Sequence, residues 1–273
     1  MRIVAVVFDY PSRGKKYTML SKVYEYSIKK NCPKAKLDLI KLPPPNLKSG
    51  ENKSFPSNTV KLDYWYRTLC DSDDKEVIFM DCDMVVLGDL SPAFAYDFDI
   101  GYTKRTKCRM PYNGGVVFVK NTQAARDFIL LWKEINDRMY NDYRFHKPWR
   151  NKYAGMNQAA FGYILEKEKF DAKLRSFPCS VWNSCVEDWQ RIDINKTKVV
   201  HIKGGLRRAA FNKKPAGPKY RRAYGIWKNL AIEAGVRSGP KTMATEKAPV
   251  VISDHPHVKR PPRGTRRRNR RRR

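Results

Sequence analysis

Long apolar runs are missing from this chain. No stretch approaches the roughly 18–20 consecutive apolar residues of a membrane-spanning helix, and Ile3 to Phe8 is too short and wrongly flanked for a secretory signal. The expectation is a soluble, cytoplasmic protein without a signal peptide. Cysteine patterns are equally thin. The six cysteines stand at 32, 70, 82, 108, 179 and 185 with no Cys-x-x-Cys pair, which argues against a zinc site. Cys82 sits between two aspartates, where a disulfide would obstruct them, so reduced thiols are expected. Carboxylates are scarce too, 27 Asp and Glu against 56 Lys and Arg, for a net charge of +29. Residues 237–273 hold 13 basic and 2 acidic side chains, so +11 falls there and +18 remains on residues 1–236. An excess of that size favours an anionic partner: nucleic acid, a membrane surface or an acidic glycan.

These 273 residues can bury one sizeable core. Composition divides them into a folded domain over 1–236 and a disordered Pro/Arg-rich basic tail over 237–273. The tail ends in the run Arg263 to Arg273, an electrostatic arm with sequence-independent affinity for DNA or RNA by counterion release. Membrane anchoring and nuclear targeting fit the same charge.

The stretch around which the rest is organised runs from Glu76 to Leu90. Val77 to Met80 form an uninterrupted apolar run suited to a strand buried on both faces. Asp81 and Asp83 follow it, where an open α/β sheet places its ligands. In an extended chain both carboxylates would leave by one face, a geometry suited to a hard cation bridged to phosphate oxygens.

The flanking segments read as an alternation of strands and helices, the rhythm of an α/β sheet. Arg2 to Tyr10 is a buried strand whose tip, Phe8, Asp9 and Tyr10, could hold a nucleotide base. Lys16 to Lys30 is a helix with Leu20, Val23, Tyr24 and Ser27 on one face. Lys36 to Leu42 is a strand stopped by three prolines, and residues 46 to 57 a mobile loop. Ser57 or Asn58 would cap a helix running to about Cys70. Ser91-Pro92 starts a short helix and Asp99 to Thr103 is a strand. A turn at Pro111 to Gly115 precedes the strand Val116 to Val119, and Asn113, Gly114 and Gly115 offer a backbone that a ligand can approach closely. Asn121-Thr122 caps a helix burying Ala125, Phe128, Ile129, Trp132 and Ile135. Asn141 to Tyr153 is a surface excursion, and Gly155 to Phe161 opens a helix with two amides, Asn157 and Gln158, in its first turn. Leu174 to Phe177 and Lys198 to Ile202 are short strands, the second running into His201, a flexible turn and a cluster of cations.

Taken in order, the nucleotide strand, the Asp-x-Asp after a buried strand, the Asn-Gly-Gly segment, the Asn-Gln helix start and the late His-x-x-Gly-x-x-Arg turn resemble a GT-A type glycosyltransferase. The pattern is most similar to family eight, which contains glycogenin and the bacterial lipopolysaccharide galactosyltransferases, and it covers about residues 1 to 210. The resemblance implies a Rossmann-like mixed sheet flanked by helices, and transfer of sugar from a nucleotide-diphosphate sugar, with UDP as the expected nucleotide. It implies a divalent metal, Mn²⁺ or Mg²⁺, on Asp81, Asp83 and His201. Gly204, Arg207 and Lys203 would meet the phosphates, Phe8, Asp9 and Tyr10 the nucleoside, and Lys61, Asn113, Gly114 and Gly115 the rest of the donor. Gln158 and Asn157 would lie at the sugar, with retention of configuration. The chain departs from the family at Lys61 in place of Arg, Asn157 in place of Asp and Arg207 in place of Lys, and it lacks the family's late Pro-Trp.

An inverting enzyme would need a carboxylate base, for which Glu187, Asp188 and Asp193 are the late candidates. For the acceptor, the basic body and tail favour a hydroxymethylated pyrimidine in DNA, as in a viral genome. A glycan, lipid or protein is the alternative, and a non-catalytic nucleic-acid-binding protein on a transferase fold stands further off.

Overall fold

The described residues form eight strands and eight α-helices. The computed structural model describes residues 1–8, 16–46, 52, 54–106, 110–211 and 217–237, which fall in one compact unit. Asp9, Tyr10, Cys108 and the Arg-rich run from Arg263 lie outside the described residues.

Strand β1 (Arg2–Phe8) buries its five central residues, and β3 (Glu76–Asp81) buries Val77 to Met80. Such two-sided burial requires neighbours on both edges and layers on both faces. The main sheet supplies them in the order β2-β1-β3-β6-β5-β7, with β2 at Lys36–Leu42, β5 at Ile100–Lys104, β6 at Tyr112–Lys120 and β7 at Leu174–Pro178. β1 runs parallel to β2 and β3, and β5 parallel to β7, while β6 is antiparallel to both β3 and β5. The carboxyl ends of β1, β3, β5 and β7 therefore share one edge with the amino end of β6. A second, two-stranded sheet pairs β4 (Met84–Val86) with β8 (Val199–His201).

Helices cover both faces. On one lie α2 (Ser54–Cys70), α3 (Gln123–Asn141) and α5 (Asn157–Lys167), whose Trp65, Phe128, Trp132 and Phe161 pack with Phe79. The other face packs Tyr24 and Ile28 of α1 (Lys16–Asn31) and the rings of Phe94, Phe98, Phe177 and Trp182 around Phe118. A third cluster joins α8 (Arg221–Glu233) and α7 (Gly204–Phe211) to the small sheet through Trp189 and Trp227. α4 (Tyr143–Tyr153) and the short α6 (Cys179–Trp182) complete the set.

Several expectations shift by a few residues, each for a local reason. Ser57 and Asn58 are not caps, because α2 starts earlier, at Ser54, where Asn52 Oδ1 accepts from the Ser54 N–H at 3.0 Å. Pro56 fits there because a first-turn residue has no intrahelical partner for its nitrogen. The turn expected at Pro111 to Gly115 is a bulged strand. Tyr102 pairs with Val117 but Thr103 pairs with Asn113, so Gly114 to Val116 bow out of the β5 ladder. The surface excursion over Asn141 to Tyr153 is the helix α4, capped by Asp142, whose side chain accepts from the N–H groups of Arg144 and Phe145. Thr122 caps α3 as expected, accepting from the Ala125 N–H at 3.1 Å.

Trp65 is the centre of the helical layer. Fully buried, it stacks on Phe79 at 4.8 Å, meets Trp132 edge-on at 5.8 Å and carries the Lys61 ammonium 4.9 Å above its ring. Trp65→Ala leaves a cavity beneath a buried cation, and urea denaturation should show a loss of about 3–5 kcal/mol.

Candidate active site

The carboxylates at the end of β3 are brought together by a bend rather than by an extended strand. β3 stops at Asp81, the chain bends through Cys82 and Asp83, and β4 begins at Met84. Asp83 is then locked to β8 through its backbone: the Ile202 N–H donates to the Asp83 carbonyl at 2.7 Å, and Met84 lies opposite His201. This brings the His201 ring to the carboxylates, with Nε2 at 3.2 Å from Asp83 Oδ1 and 3.8 Å from Asp81 Oδ2. Donor atoms of Asp81, Asp83 and His201 all lie within 4.8 Å of one another. Two carboxylate oxygens and an imidazole nitrogen suit a divalent cation of the Mg²⁺ or Mn²⁺ kind, the histidine leaning toward Mn²⁺.

Each carboxylate also has a cationic partner. Lys61 Nζ donates to Asp81 Oδ1 at 2.8 Å, and Arg207 Nη1 to Asp83 Oδ2 at 2.9 Å. Burial alone would raise the Asp83 pKa, but His201, Arg207 and Lys203 outweigh it and hold the carboxyl at about 2. For His201 burial alone would lower the pKa; the Asp83 carboxylate overcomes this and sets it above the ordinary value.

The other ring nitrogen fixes the tautomer. Asn183, with no exposed surface, donates from Nδ2 to Thr103 Oγ1 at 2.9 Å, and Thr103 Oγ1 donates to the Asn113 carbonyl at 2.8 Å. That chain leaves Asn183 Oδ1 as the acceptor facing His201 Nδ1 at 3.1 Å. Nδ1 therefore carries the proton, and Nε2 is the nitrogen left to bind metal. Nothing local in the sequence marks Asn183. It is found only once β8, β5 and the segment after α6 are packed together.

These groups open into a cleft of about 600 Å³ lined by Phe8, Lys61, Asp81, Asp83, His201, Lys203 and Arg207. Asn113, Gly114, Asn157 and Gln158 line it as well. Tyr17 of α1, Gly155 and, at the amino end of α2, Ser54, Ser57 and Asn58 also line it and were not expected from the sequence. Gly115 is absent from the lining. A Cβ there would meet Met84 Cε at 2.5 Å and His201 Cε1 at 2.8 Å, so its bare backbone makes room for the histidine rather than for a ligand. Gly204 opens α7 with φ of 55°, a left-handed conformation that favours glycine. Asn157 is buried although it lines the cleft, and its Oδ1 finds no hydrogen-bond partner. Glu187 is held in an ion pair by Arg105. Neither it nor Asp188 or Asp193 lines this cleft, whose only carboxylates among the described residues are Asp81 and Asp83.

A carboxylate pair, a histidine and several cations at the carboxyl edge of a mixed sheet fit a nucleotide-sugar glycosyltransferase of the GT-A type. The family model described as nucleotide-diphospho-sugar transferase matches residues 70–209, 140 of the 273, and the chain belongs to that family. Solved structures of similar fold include the galactosyltransferase LgtC in complex with donor and acceptor sugar analogs, with a TM-score of 0.51 at 12% identity over 85% of this chain and 96% of that one. The glycosyltransferase GlyE of Streptococcus pneumoniae superposes with a TM-score of 0.54 at 13% identity, over 86% of this chain and 61% of that one. A glycosyltransferase involved in glycosylation of the major capsid of PBCV-1 gives 0.53 at 12% identity, over 76% and 98%. No curated protein sequence matches the chain. Among the described residues no helix is long and apolar enough to cross a membrane.

Two outcomes follow from the histidine geometry. Metal binding at Nε2 must displace a proton whose pKa is raised, so Mn²⁺ affinity measured by calorimetry should climb from about pH 6 to about pH 8 with net proton release. Asn183→Leu frees the tautomer and should cost about tenfold or more in Mn²⁺ affinity, with a shift of the His201 ring nitrogens in ¹⁵N NMR.

Proposed function

We propose that this enzyme transfers a sugar from a UDP-sugar to an acceptor hydroxyl with retention of configuration, depending on a divalent metal held by Asp81, Asp83 and His201. The observation that carries this reading is the convergence of those three side chains within 4.8 Å at the mouth of the cleft. A cation bound there supplies Lewis-acid neutralisation of the charge that develops on the departing diphosphate.

The chain's own residues do the rest. Lys203 and Arg207 line the same cleft and donate to phosphate oxygens, Arg207 leaving Asp83 to do so. The N–H of Gly204 adds a donor at the start of α7. Phe8, which lines the cleft, packs against the base. Lys61 anchors Asp81 and is tied in turn to the Gly114 carbonyl at 3.4 Å, which holds the carboxylate in place at the sheet edge. Asn157 and Gln158, which line the same cleft, stand at the donor sugar, Gln158 beside the anomeric carbon.

For the acceptor, the sequence reading placed DNA first on charge alone. The cleft adds nothing to that reading, whereas LgtC holds a sugar analog as its acceptor. A glycan hydroxyl is therefore the acceptor proposed.

Hydrolysis of a panel of nucleotide sugars with Mn²⁺ tests the donor half. Asp81→Ala combined with Asp83→Ala should remove metal-dependent hydrolysis, by about a thousandfold or more; unchanged turnover would overturn the metal assignment. Mass spectrometry of hydroxymethylcytosine-containing, hydroxymethyluracil-containing and unmodified DNA after incubation with the same donors should show no added sugar. A hexose or pentose increment on any of them would restore the DNA acceptor.

A further inference from the structure

A strained corner leads the chain into the two amides of α5. Ala154, between α4 and α5, has φ of 54° and ψ of 169° and is the one non-glycine residue with positive φ among the described residues. Gly155 follows it at φ of 68°. That backbone region is nearly closed to a residue with a Cβ, and such a residue persists there only where its surroundings hold it from several sides.

The holding groups stand on both sides of the corner. Before it, Tyr153 is buried, and a Cβ on Gly162 of α5 would meet its ring at 2.3 Å, so the bare glycine is the seat of that ring. The Tyr153 hydroxyl is bonded to Glu166, also on α5. After the corner, the Gly155 carbonyl lies 2.9 Å from His146 Nε2. A carbonyl only accepts, so Nε2 carries the proton and donates. His146 is 2% exposed, and its ring meets Phe55 of α2 edge-on at 5.4 Å. The same imidazole thus touches two segments that line the donor cleft, the first turn of α2 and the approach to α5.

Gly155 in turn governs Gln158. A Cβ on Gly155 would stand 2.3 Å from Gln158 Oε1, so the Gln158 amide lies back against the bare backbone of the corner. Trp132 Nε1 separately donates to the Asn157 carbonyl at 2.8 Å, which pins the start of α5. What is left for His146 to fix is the corner in front of it.

We infer that His146 is a positioning residue for sugar transfer: its hydrogen bond to the Gly155 carbonyl holds the Ala154–Gly155 corner and, through it, the Gln158 amide. The inference rests on the glycosyltransferase reading above, in which Gln158 stands beside the anomeric carbon. His146 does not itself line the cleft. The groups assigned to metal and diphosphate come from the end of β3 and from the β8–α7 segment, so losing His146 should disturb the chemical step and spare the binding of UDP.

Steady-state hydrolysis of UDP-glucose and UDP-galactose by the full chain with Mn²⁺, beside UDP affinity by calorimetry, tests this. His146→Leu cannot donate and should lower kcat about tenfold while KM and UDP affinity stay within about twofold. His146→Gln places an amide N–H at a similar reach and should recover most of the loss. In a Gln158→Ala background, His146→Leu should cost less than about twofold, because the residue it acts through is gone. Hydrogen exchange read by mass spectrometry needs no donor. In His146→Leu the peptide covering residues 154–161 should exchange about fivefold faster or more, with peptides around Asp81 and His201 unchanged. An unmoved kcat, an equal loss of UDP affinity, no recovery with glutamine, a full loss without Gln158, or unchanged exchange over 154–161 would overturn the positioning role. An unsubstituted protein that hydrolyses neither UDP-sugar counts against the transferase reading instead, and exchange then decides alone whether His146 holds the corner.

Discussion

Two carboxylates held close together, one of them buried, need compensation. Asp83 is only 6% exposed, and an uncompensated charge at that depth would protonate or unfold its surroundings. The compensation comes from three separate parts of the chain: Lys61 on α2, His201 at the end of β8 and Arg207 on α7. Asp83 and Arg207 are 124 residues apart in sequence. The elements that carry these cations must therefore dock correctly for the end of β3 to exist in this form. The small β4–β8 sheet is the device that enforces it, because its backbone pairing sets His201 against the carboxylates before any side chain chooses a rotamer.

The antiparallel β6 gives the sheet edge its layout. In a purely parallel sheet the amino end of that strand would lie on the opposite edge, and Asn113 and Gly114 would be far from the carboxylates. Reversed, β6 delivers them between β3 and β5, and its bulge lets bare backbone pass where side chains from two other elements already stand. A Cβ on Gly114 would lie 3.1 Å from Asn157 Nδ2, and one on Gly115 would press on His201. The glycines serve close packing of the site's own parts as much as approach by a ligand.

Much of this was legible in sequence because it depends on short-range patterns. The apolar run Val77 to Met80, the one-faced helix from Lys16, and the threonine cap at Thr122 each announce themselves within a few residues. The carboxylates and His201 were legible through order along the chain, which a family preserves when its spacing drifts. What escaped reading depends on packing between distant segments. Asn183 has no local signature, since its role exists only through Thr103 and His201. α4 was hidden by Pro148 and a run of basic and aromatic residues that lacks a clean apolar stripe. The bulge at Gly114 looked like a turn because glycines mark both, and only the pairing of Thr103 with Asn113 separates them.

On the proposed function, charge balance among the described residues would tie metal and donor into a single binding event. Without ligands, Asp81 and Asp83 are matched against Lys61, Arg207 and Lys203, with His201 inclined to protonate. The cleft is thus already slightly positive. A divalent cation that displaces the His201 proton adds a further positive charge, which burial makes costly if it stays alone. A nucleoside diphosphate brings at least two negative charges to the same place, and Arg207 can then exchange Asp83 for phosphate without leaving either anion unpaired. Metal alone overcharges the cleft, and diphosphate alone faces the carboxylates across a short gap. Bound together they would cancel, so on the proposed function each would raise the affinity of the other through the electrostatics of this one strand end.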